Sequence, residues 1–380
     1  MRTCLLTVLL LGLITLASGQ SARLQITNPG PTARPATLVE IPWTLVKAAY
    51  PLVDTAQLQV VLLPGNKPVR YQFEHLGAGV IQNLLVQVDL PAGQPIQLVL
   101  RRGEPDAVKA LTYCRYVPQR FDDFAWENDR IAFRIYGAAL EGRSDNAYGM
   151  DIWAKRTSEL ILDKWYASGD YHADNGEGLD YYKVGYTLGA GDVGVLLGDT
   201  IGYIHNYKTW EILDNGPLRS TFRVSYPAAR FGGTTVSTVK TISLDAGAQL
   251  SRVRVKMTHD HPQPLPVVVG ITLRPEDSPL LLDAKSGVLG YYEPPHGKDG
   301  TLGIGSVFPN GVRIMRRHQQ HGLAEISLKS GEVLTYYNGG AWDKAGVVTN
   351  AEAWFAHLRQ QADQLKQPPT VTIVSAAANR

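Results

Sequence analysis

The chain has 380 residues, of which 44% are hydrophobic and 19% are charged, and its formal net charge is +2. That length suffices for one large β domain or two smaller ones. Because 37 basic residues nearly balance 35 acidic ones, the composition argues against nucleic acid or an anionic membrane surface as a partner.

The first residues predict a secretory signal peptide. Arg2 supplies a positive charge, an apolar run extends from Cys4 to Leu16, and Ala17-Ser18-Gly19 offers small residues for cleavage. We place the signal peptide at residues 1–19 and expect a periplasmic or secreted protein without a membrane anchor, since the run is shorter than the ~20 residues of a spanning helix. The mature chain then keeps Cys114 alone, so no intramolecular disulfide is expected.

Short apolar runs separated by Pro and Gly turns predict an all-β, antiparallel architecture. Residues 20–112 are expected to form a smaller N-terminal β-sandwich unit, and residues 113–380 a larger β-sandwich domain. Asp214-Asn215-Gly216 and Asp245-Ala246-Gly247 predict the turns of two hairpins whose strands alternate apolar and polar residues. Residues 159–166 are predicted to form a further strand.

One helix is predicted near the C-terminus. Thr349 and Glu352 have the spacing of a capping box, and apolar side chains recur at helical spacing from Ala351 to Leu365. Pro368-Pro369 then ends the helix, and residues 370–374 are expected to form a last strand.

The most informative stretch is the loop from Tyr171 to Gly191, which is rich in glycine, acids and aromatic rings. It has too few aliphatic side chains to build a core, and its polar groups would need partners if they were buried. His, Tyr and carboxylate side chains move protons in sugar chemistry. We therefore predict four catalytic residues in the loop: His172, Asp174, Glu177 and Tyr181. The histidine and the tyrosine would carry protons, and the two acids would act as a pair or orient the histidine.

A second polar segment, residues 120–130, combines acids, arginines and aromatic rings. Trp126 or Phe124 would stack on a sugar ring, and Arg120 and Arg130 would hold a carboxylate through paired hydrogen bonds. Across this segment and the loop, we predict substrate-binding roles for Arg120, Asp123, Trp126, Arg130, Asp180 and Lys183.

Each segment also has a purely structural interpretation. The loop would be held by hydrogen bonds or by a calcium ion, since acids recur at positions 174, 177 and 180 without an EF-hand pattern. Residues 120–130 would be an exposed strand entry with internal salt bridges. His259-Asp260-His261 has the spacing of two metal ligands on one strand face, but Pro262 favours a strand end. We expect no cofactor, with calcium as the alternative.

Several long motifs resemble a known family. They run from Arg120 to Gly137, from Asp151 to Trp153, from Tyr171 to Gly185 and from Asp214 to Arg219. In these motifs, and over nearly the whole mature chain, the protein resembles the secreted bacterial family called domain of unknown function 4861. The resemblance implies a galactose-mutarotase-like β-supersandwich, which many carbohydrate enzymes share, and acidic plant or algal glycans as targets. It implies no particular catalytic residues, and a fold alone cannot supply them.

The sequence therefore predicts a carbohydrate-active enzyme that cleaves glycosidic bonds in uronate-containing, pectin-like oligosaccharides by lyase or hydrolase chemistry. Two alternatives remain open: a sugar isomerase or mutarotase-like enzyme, and a non-catalytic glycan-binding protein. A deep pocket in which His172 and Glu177 face each other would favour catalysis. An aromatic groove without convergent acids would favour binding.

Overall fold

A computed structural model of the protein describes residues 21–374. The predicted signal peptide, residues 1–19, lies outside the described residues and stays a prediction. Within residues 21–374 the strands form five sheets and pair antiparallel, apart from two isolated parallel bridges, and three α-helices accompany them. The prediction of an all-β antiparallel fold is confirmed. None of the described helices is long and apolar enough to cross a bilayer.

Most strands are short, and their side chains alternate between two faces. The N-terminal elements are β1 (Ser21–Thr27), β2 (Arg34–Pro42), α1 (Trp43–Ala49), β3 (Leu58–Leu63), β4 (Lys67–Pro68), β5 (Tyr71–Glu74), β6 (Asn83–Leu90) and β7 (Pro95–Arg102). The next elements are β8 (Thr112–Val117), β9 (Asp123–Asn128), β10 (Ala132–Ile135), β11 (Asp151–Lys155), α2 (Leu162–Ser168), β12 (Gly178–Leu179), β13 (Ala190–Leu197) and β14 (Thr200–Tyr203). They are followed by β15 (Thr209–Asn215), β16 (Arg219–Phe231), β17 (Thr234–Asp245), β18 (Leu250–His259), β19 (Leu265–Thr272), β20 (Leu280–Asp283), β21 (Val288–Tyr292) and β22 (Leu302–Val307). The final elements are β23 (Ile314–His318), β24 (His321–Leu328), β25 (Val333–Trp342), α3 (Ala351–Lys366) and β26 (Thr370–Val374).

The N-terminal unit consists of two sheets with the strand orders β26-β1-β7-β3-β4 and β2-β6-β5. Apolar side chains from both sheets, such as Leu24 and Ile41, are completely buried between them. The last strand of the described chain, β26, returns to this unit and pairs with β1. The predicted division of the chain near residue 112 stays a prediction, but residues 370–374 pack with the N-terminal sheet rather than with the larger domain.

The larger part of the protein contains three sheets around one core. Their strand orders are β15-β16-β17-β18-β25-β22-β21-β20, β14-β13-β19-β24-β23 and β12-β11-β10-β9-β8. Phe133, Val255 and Val269 represent the three sheets in this shared core. Burial of such a large apolar surface stabilises the described part of the chain, in which Cys114 is a free thiol.

Both predicted hairpins are confirmed, since β15 pairs with β16 and β17 pairs with β18. The C-terminal helix is confirmed as α3, and the indole of Trp354 packs against Gly303 of β22. Its cap differs from the prediction: the Asn350 side chain, not Thr349, accepts a hydrogen bond of 2.9 Å from the backbone N–H of Ala353. Asparagine serves as well as threonine at this position.

The strand predicted for residues 159–166 is wrong, because helix α2 begins at Leu162. The buried carboxylate of Glu127 accepts hydrogen bonds of 2.8 Å from the backbone N–H groups of Ile161 and Leu162. An acid is stabilising at a helix N-terminus, where backbone N–H groups lack partners. This cap comes from β9, far away in sequence, so local periodicity did not reveal the helix.

The loop from Tyr171 to Gly191 connects two sheets of the larger part. Its short strand β12 pairs with β11, and it continues into β13 of the other five-stranded sheet. Gly178 permits the close pairing with β11, because a Cβ atom there would lie 2.0 Å from the backbone oxygen of Ala154. One end of the loop therefore lies on the sheet that contains β9 and β10, and the other end lies on the sheet that contains β13 and β19.

Candidate functional site

The outer face of the sheet that contains β9, β10 and β11 holds a buried cluster of charges. Arg134 lies among three carboxylates: its guanidinium nitrogens are 2.6 Å from Asp151, 2.9 Å from Asp180 and 3.5 Å from Asp123. All four side chains are almost completely buried. We call these four residues the Arg134 cluster. Alternation along the strands places three of them on the same face, and β12 leads directly into the fourth.

The electrostatics of the Arg134 cluster follow from three acids sharing one buried cation. Burial raises the pKa of Asp123 to about 7, although Arg134 and Arg120 oppose the rise. Burial and the charge of Asp151 also raise the pKa of Asp180 well above its usual value. Burial opposes ionisation of Arg134, but its acidic neighbours raise its pKa, so it stays charged. The cluster therefore retains a proton on its carboxylates near neutral pH.

Aromatic rings close the Arg134 cluster from above. The indole of Trp153 donates a hydrogen bond of 3.0 Å to Asp151 and lies under the ring of Tyr171, with 5.2 Å between centroids. The Tyr166 hydroxyl lies 3.3 Å from Asp123. This cover of α2 and the loop keeps water away from the charges, and low local polarity strengthens their interactions.

His172 stands at the edge of the cluster, with 65% of its side chain exposed. Its Nδ1 atom lies 2.8 Å from the backbone oxygen of Asp180 and 3.7 Å from the carboxylate of that residue. A histidine held in this way by Nδ1 presents Nε2 to solvent. The role of proton carrier for His172 stays a prediction, and the structure places its imidazole at the surface, held on one side.

The two predicted acids of the loop do not form a pair with each other. Asp174 forms an ion pair with Arg156, at 2.8 Å, and Glu177 forms one with Lys164, also at 2.8 Å. The hydrogen bond from Lys164 lowers the pKa of Glu177. Each acid therefore pairs with its own cation, which is unlike the pair of carboxyl groups that glycoside hydrolysis uses.

Two predicted binding residues lie elsewhere. Trp126 is completely buried in the core, where it stacks on Phe133 and donates a hydrogen bond of 2.9 Å to Ser251. Side chains alternate along β9, and the Trp126 side chain points into the core. Neither face of its ring is therefore accessible to a sugar. Phe124, on the same inward face, is also completely buried.

Arg120 and Arg130 do not converge on one carboxylate. Arg120 precedes the six-residue strand β9 and Arg130 follows it, so about 20 Å of strand separates them. Arg120 lies near Asp123, where its charge partly opposes the rise in pKa that burial causes. Arg130 lies instead near His357 of α3, whose pKa is lowered by burial and by the charge of Arg130.

Tyr181 and Tyr182 come directly after Asp180 of the Arg134 cluster in the sequence. Tyr181 stacks on His296, with 4.7 Å between centroids, and its buried hydroxyl has no hydrogen-bond partner among the described residues. Burial raises the pKa of both tyrosines. Tyr182 lies under Arg274, whose guanidinium is 4.4 Å from the ring centroid and 2.6 Å from Glu293.

An open cleft of about 510 Å³ lies beside residues 183–187 of the loop. It is lined by residues from segments 183–187, 272–275 and 317–320, and we call it the basic cleft. These segments meet because β13 begins, β19 ends and the β23–β24 turn lies at the same edge of one sheet. The lining contains Lys183, Arg274 and Arg317 and includes no carboxylate. Such a lining suits an anionic ligand.

The structure brings one predicted binding residue into the basic cleft, Lys183, and adds two that sequence reasoning missed. Arg274 and Arg317 come from strand ends more than 80 residues away from the loop in sequence. Arg274 follows the apolar strand β19, which is its local signal, whereas Arg317 stands within the largely exposed strand β23 and has no such signal. Asp151 and Arg134 were also missed, although both belong to motifs that carried the family resemblance.

The described residues contain no group of three or more His, Cys, Asp or Glu side chains arranged to hold a metal ion. Asp174, Glu177 and Asp180 each have a cationic partner, so the loop does not present them together to calcium. The ring of His259 is engaged with the backbone oxygen of Leu328 at 3.1 Å.

The chain is similar to proteins of known sequence and structure. It is 30% identical over 318 residues to "Uncharacterized protein P7" of Formosa agariphila, covering 78% of this chain and 79% of that one. A protein in glycosyl hydrolase family 38 from Enterococcus faecalis matches 94% of this chain with a TM-score of 0.56 and 10% identity. An alpha-mannosidase from Enterococcus faecalis V583 matches 94% of it with a TM-score of 0.47 and 9% identity.

The structural likeness to the family 38 protein shows a shared fold. The chain spans about half of that structure, 48% of its length. The β-sheet sandwich agrees with the architecture that the resemblance implied. Residues 26–371 match the family described as domain of unknown function (DUF4861). The protein belongs to this family.

Proposed function

We propose that the protein is a secreted or periplasmic carbohydrate-active enzyme that acts on uronate-containing oligosaccharides. The observation that carries the proposal is the basic cleft, where Lys183, Arg274 and Arg317 line an open space without any carboxylate. A uronate carries one carboxylate on each ring, and arginine and lysine are the side chains that bind carboxylates most strongly.

Arg274 and Lys183 differ in how free they are to bind. Arg274 shares its charge with the buried Glu293 and donates a hydrogen bond of 3.0 Å to the backbone oxygen of Lys183. It is therefore a fixed wall of the cleft that also holds the loop in place. Lys183 is exposed and forms no ion pair among the described residues. Arg317 is also exposed, and its one ion pair within residues 21–374 is a long contact of 3.9 Å with the fully exposed Asp277. These two are the groups that a ligand carboxylate would neutralise.

Within this proposal, elimination is favoured over hydrolysis. β-Elimination needs cations that neutralise the uronate carboxylate and a base that removes the neighbouring proton. The cleft offers the cations, and His172 offers an imidazole on the same loop but outside the lining of the cleft, so elimination requires a ligand that reaches both. Hydrolysis needs two cooperating carboxyl groups, and Asp174 and Glu177 are each engaged with a separate cation.

A non-catalytic glycan-binding protein is the second candidate. The lining of the basic cleft includes no His, Tyr, Asp or Glu side chain, and His172 does not line it. A protein that only binds acidic glycans needs no more than the cations.

The test is an incubation of the mature protein with a panel of uronic-acid polysaccharides and their oligosaccharides. Rising absorbance of unsaturated uronates would establish elimination, and new reducing ends without that absorbance would establish hydrolysis. Gel retardation without either product would leave the binding role. For elimination, we expect His172→Gln to lower kcat by about 10²-fold or more.

The matched pair for the cleft is Lys183→Met and Lys109→Met. Lys109 is exposed like Lys183 but forms an ion pair with Glu159, outside the cleft. We expect Lys183→Met to weaken binding of a uronate oligosaccharide about tenfold. Equal binding by both variants would contradict the assignment of the cleft.

A further inference from the structure

A group of four rings stands at the protein surface beside the basic cleft. Tyr148 and His205 stack face to face, with 4.5 Å between centroids and 7° between planes. Tyr186 and Tyr203 lie 4.8 Å and 6.3 Å from the Tyr148 ring. We call these four residues the aromatic platform.

The aromatic platform adjoins the basic cleft at two places. The backbone N–H of Tyr148 donates a hydrogen bond of 3.1 Å to Gly185, which lines the cleft, and Tyr186 follows that glycine. On the other side, the Tyr203 ring lies 6.2 Å from His321, at the end of the turn that forms another wall of the cleft. A ligand that extends beyond the cleft in this direction would meet the rings.

The platform is more exposed than packing for stability requires. Tyr186 keeps 53% of its surface exposed, and His205 is exposed as well. Within residues 21–374, the hydroxyl groups of Tyr148, Tyr186 and Tyr203 form no hydrogen bond. Exposed contiguous rings are a mark of a binding surface, since their contact with water is unfavourable.

The chemistry of the platform matches a pyranose ring. One face of a sugar presents C–H groups that pack on an aromatic ring, and its hydroxyl groups can bond to phenol oxygens at the rim. Tyrosine supplies both features at low cost in conformational entropy.

We propose that the aromatic platform is a second sugar subsite, which stacks the pyranose ring next to the uronate held in the basic cleft. This inference rests on the proposed function, because it takes the ligand of the cleft to be a uronate. The inference requires that the protein bind at least two consecutive sugar residues. The affinity of the protein must then be higher for an oligosaccharide than for the monosaccharide. This difference in affinity must depend on the rings of the aromatic platform.

The experiment is calorimetric titration of the wild-type protein and its variants with galacturonate, tetragalacturonate and the neutral maltotetraose. We expect Tyr186→Ala to weaken tetragalacturonate binding about three- to tenfold and to leave galacturonate binding unchanged. Tyr186→Phe keeps the ring and should retain most of the affinity. The control is Trp210→Ala, since Trp210 is also exposed but stacks on Tyr116, outside the platform. Circular dichroism of each variant checks that it is folded.

The outcomes separate this inference from the proposed function. Equal tetragalacturonate affinity for the wild type and Tyr186→Ala would overturn the platform while leaving the cleft intact. If maltotetraose bound and galacturonates did not, and Tyr186→Ala lost that binding, the platform would stand and the uronate proposal would fail. If the wild type bound none of the three saccharides, both would be overturned.

Discussion

The Arg134 cluster and the basic cleft are both built from charged side chains, and the loop from Tyr171 to Gly191 contributes to both. In the cluster, three carboxylates and one arginine lie within hydrogen-bond or ion-pair distance and are almost fully buried. In the cleft, Lys183 and Arg317 lie open to solvent with no carboxylate in the lining. Charged side chains thus occur in two different environments, one closed and matched and the other open.

The difference teaches where to look for function in this molecule. A buried charge that is matched by neighbours is needed to keep the fold intact, since an unmatched one would be costly. An exposed cation costs the fold little and remains available to a ligand. We therefore expect changes in the cluster to alter stability and changes in the cleft to alter binding.

The largest effect on stability is expected from Arg134→Met. It would leave Asp123, Asp151 and Asp180 together without their cation, and breaking a buried pair in this way costs about 3–5 kcal/mol. Urea denaturation followed by tryptophan fluorescence measures the free energy of unfolding. Arg223→Met is the control, because Arg223 pairs with Glu211 at the surface and its loss should cost less than about 1 kcal/mol. Similar losses in both variants would show that the cluster is not structural.

The next effect concerns pH. The pKa of Asp123 is raised to about 7 by burial, so the folded state holds its proton more tightly than the unfolded state does. The stability that this proton contributes is complete below about pH 4 and is lost as the pH rises through about 7. Asp123→Asn carries no such proton. As the pH rises from 4 to 7, the free energy of unfolding of the wild type should therefore fall relative to that of the variant, by up to roughly 4 kcal/mol.

The comparison with Asp123→Asn is needed because another group acts in the opposite direction. The pKa of His321 is lowered to about 4 by burial and by His318. The wild-type protein therefore also loses stability as the pH falls from about 6.5 to 4. Urea titrations of both proteins at several pH values cancel this common contribution. A constant difference between them across the range would refute the assignment of the proton to Asp123.

Much of the fold could be predicted from the sequence because its signals are local. Asp214-Asn215-Gly216 and Asp245-Ala246-Gly247 mark hairpin turns, and helical spacing with two prolines marks α3. Helix α2 was missed because its cap, Glu127, arrives from another strand. Local patterns cannot contain that contact.

The candidate site was predicted less well for the same reason. The loop was recognised by its composition, and Lys183 within it lines the cleft. Asp174 and Glu177 form ion pairs with Arg156 and Lys164, respectively. Spacing in the sequence does not predict those ion pairs. Trp126 was misjudged because the inward face of β9 is decided by the core beneath it.

A smaller effect is expected for the exposed acids of the loop. Asp174→Asn and Glu177→Gln each remove one partly exposed ion pair, which should cost no more than about 1 kcal/mol. If the protein acts on uronates by elimination, as proposed, its activity should fall less than about tenfold in both variants. Hydrolysis by a carboxyl pair would instead lower activity by at least about 10²-fold in each. Initial rates at saturating substrate distinguish the two outcomes.

The smallest effect on stability is expected from Lys183→Met. Its ammonium group is exposed and has no carboxylate partner among the described residues, so the free energy of unfolding should change by less than about 0.5 kcal/mol. Binding of a uronate oligosaccharide should weaken in the same variant, because the cleft loses an open cation. A stability loss as large as that of Arg134→Met would mean that the charges of the cleft support the fold too. The buried cluster and the open cleft would then not differ in their contribution to stability, and the argument that the cleft is a ligand site would be contradicted.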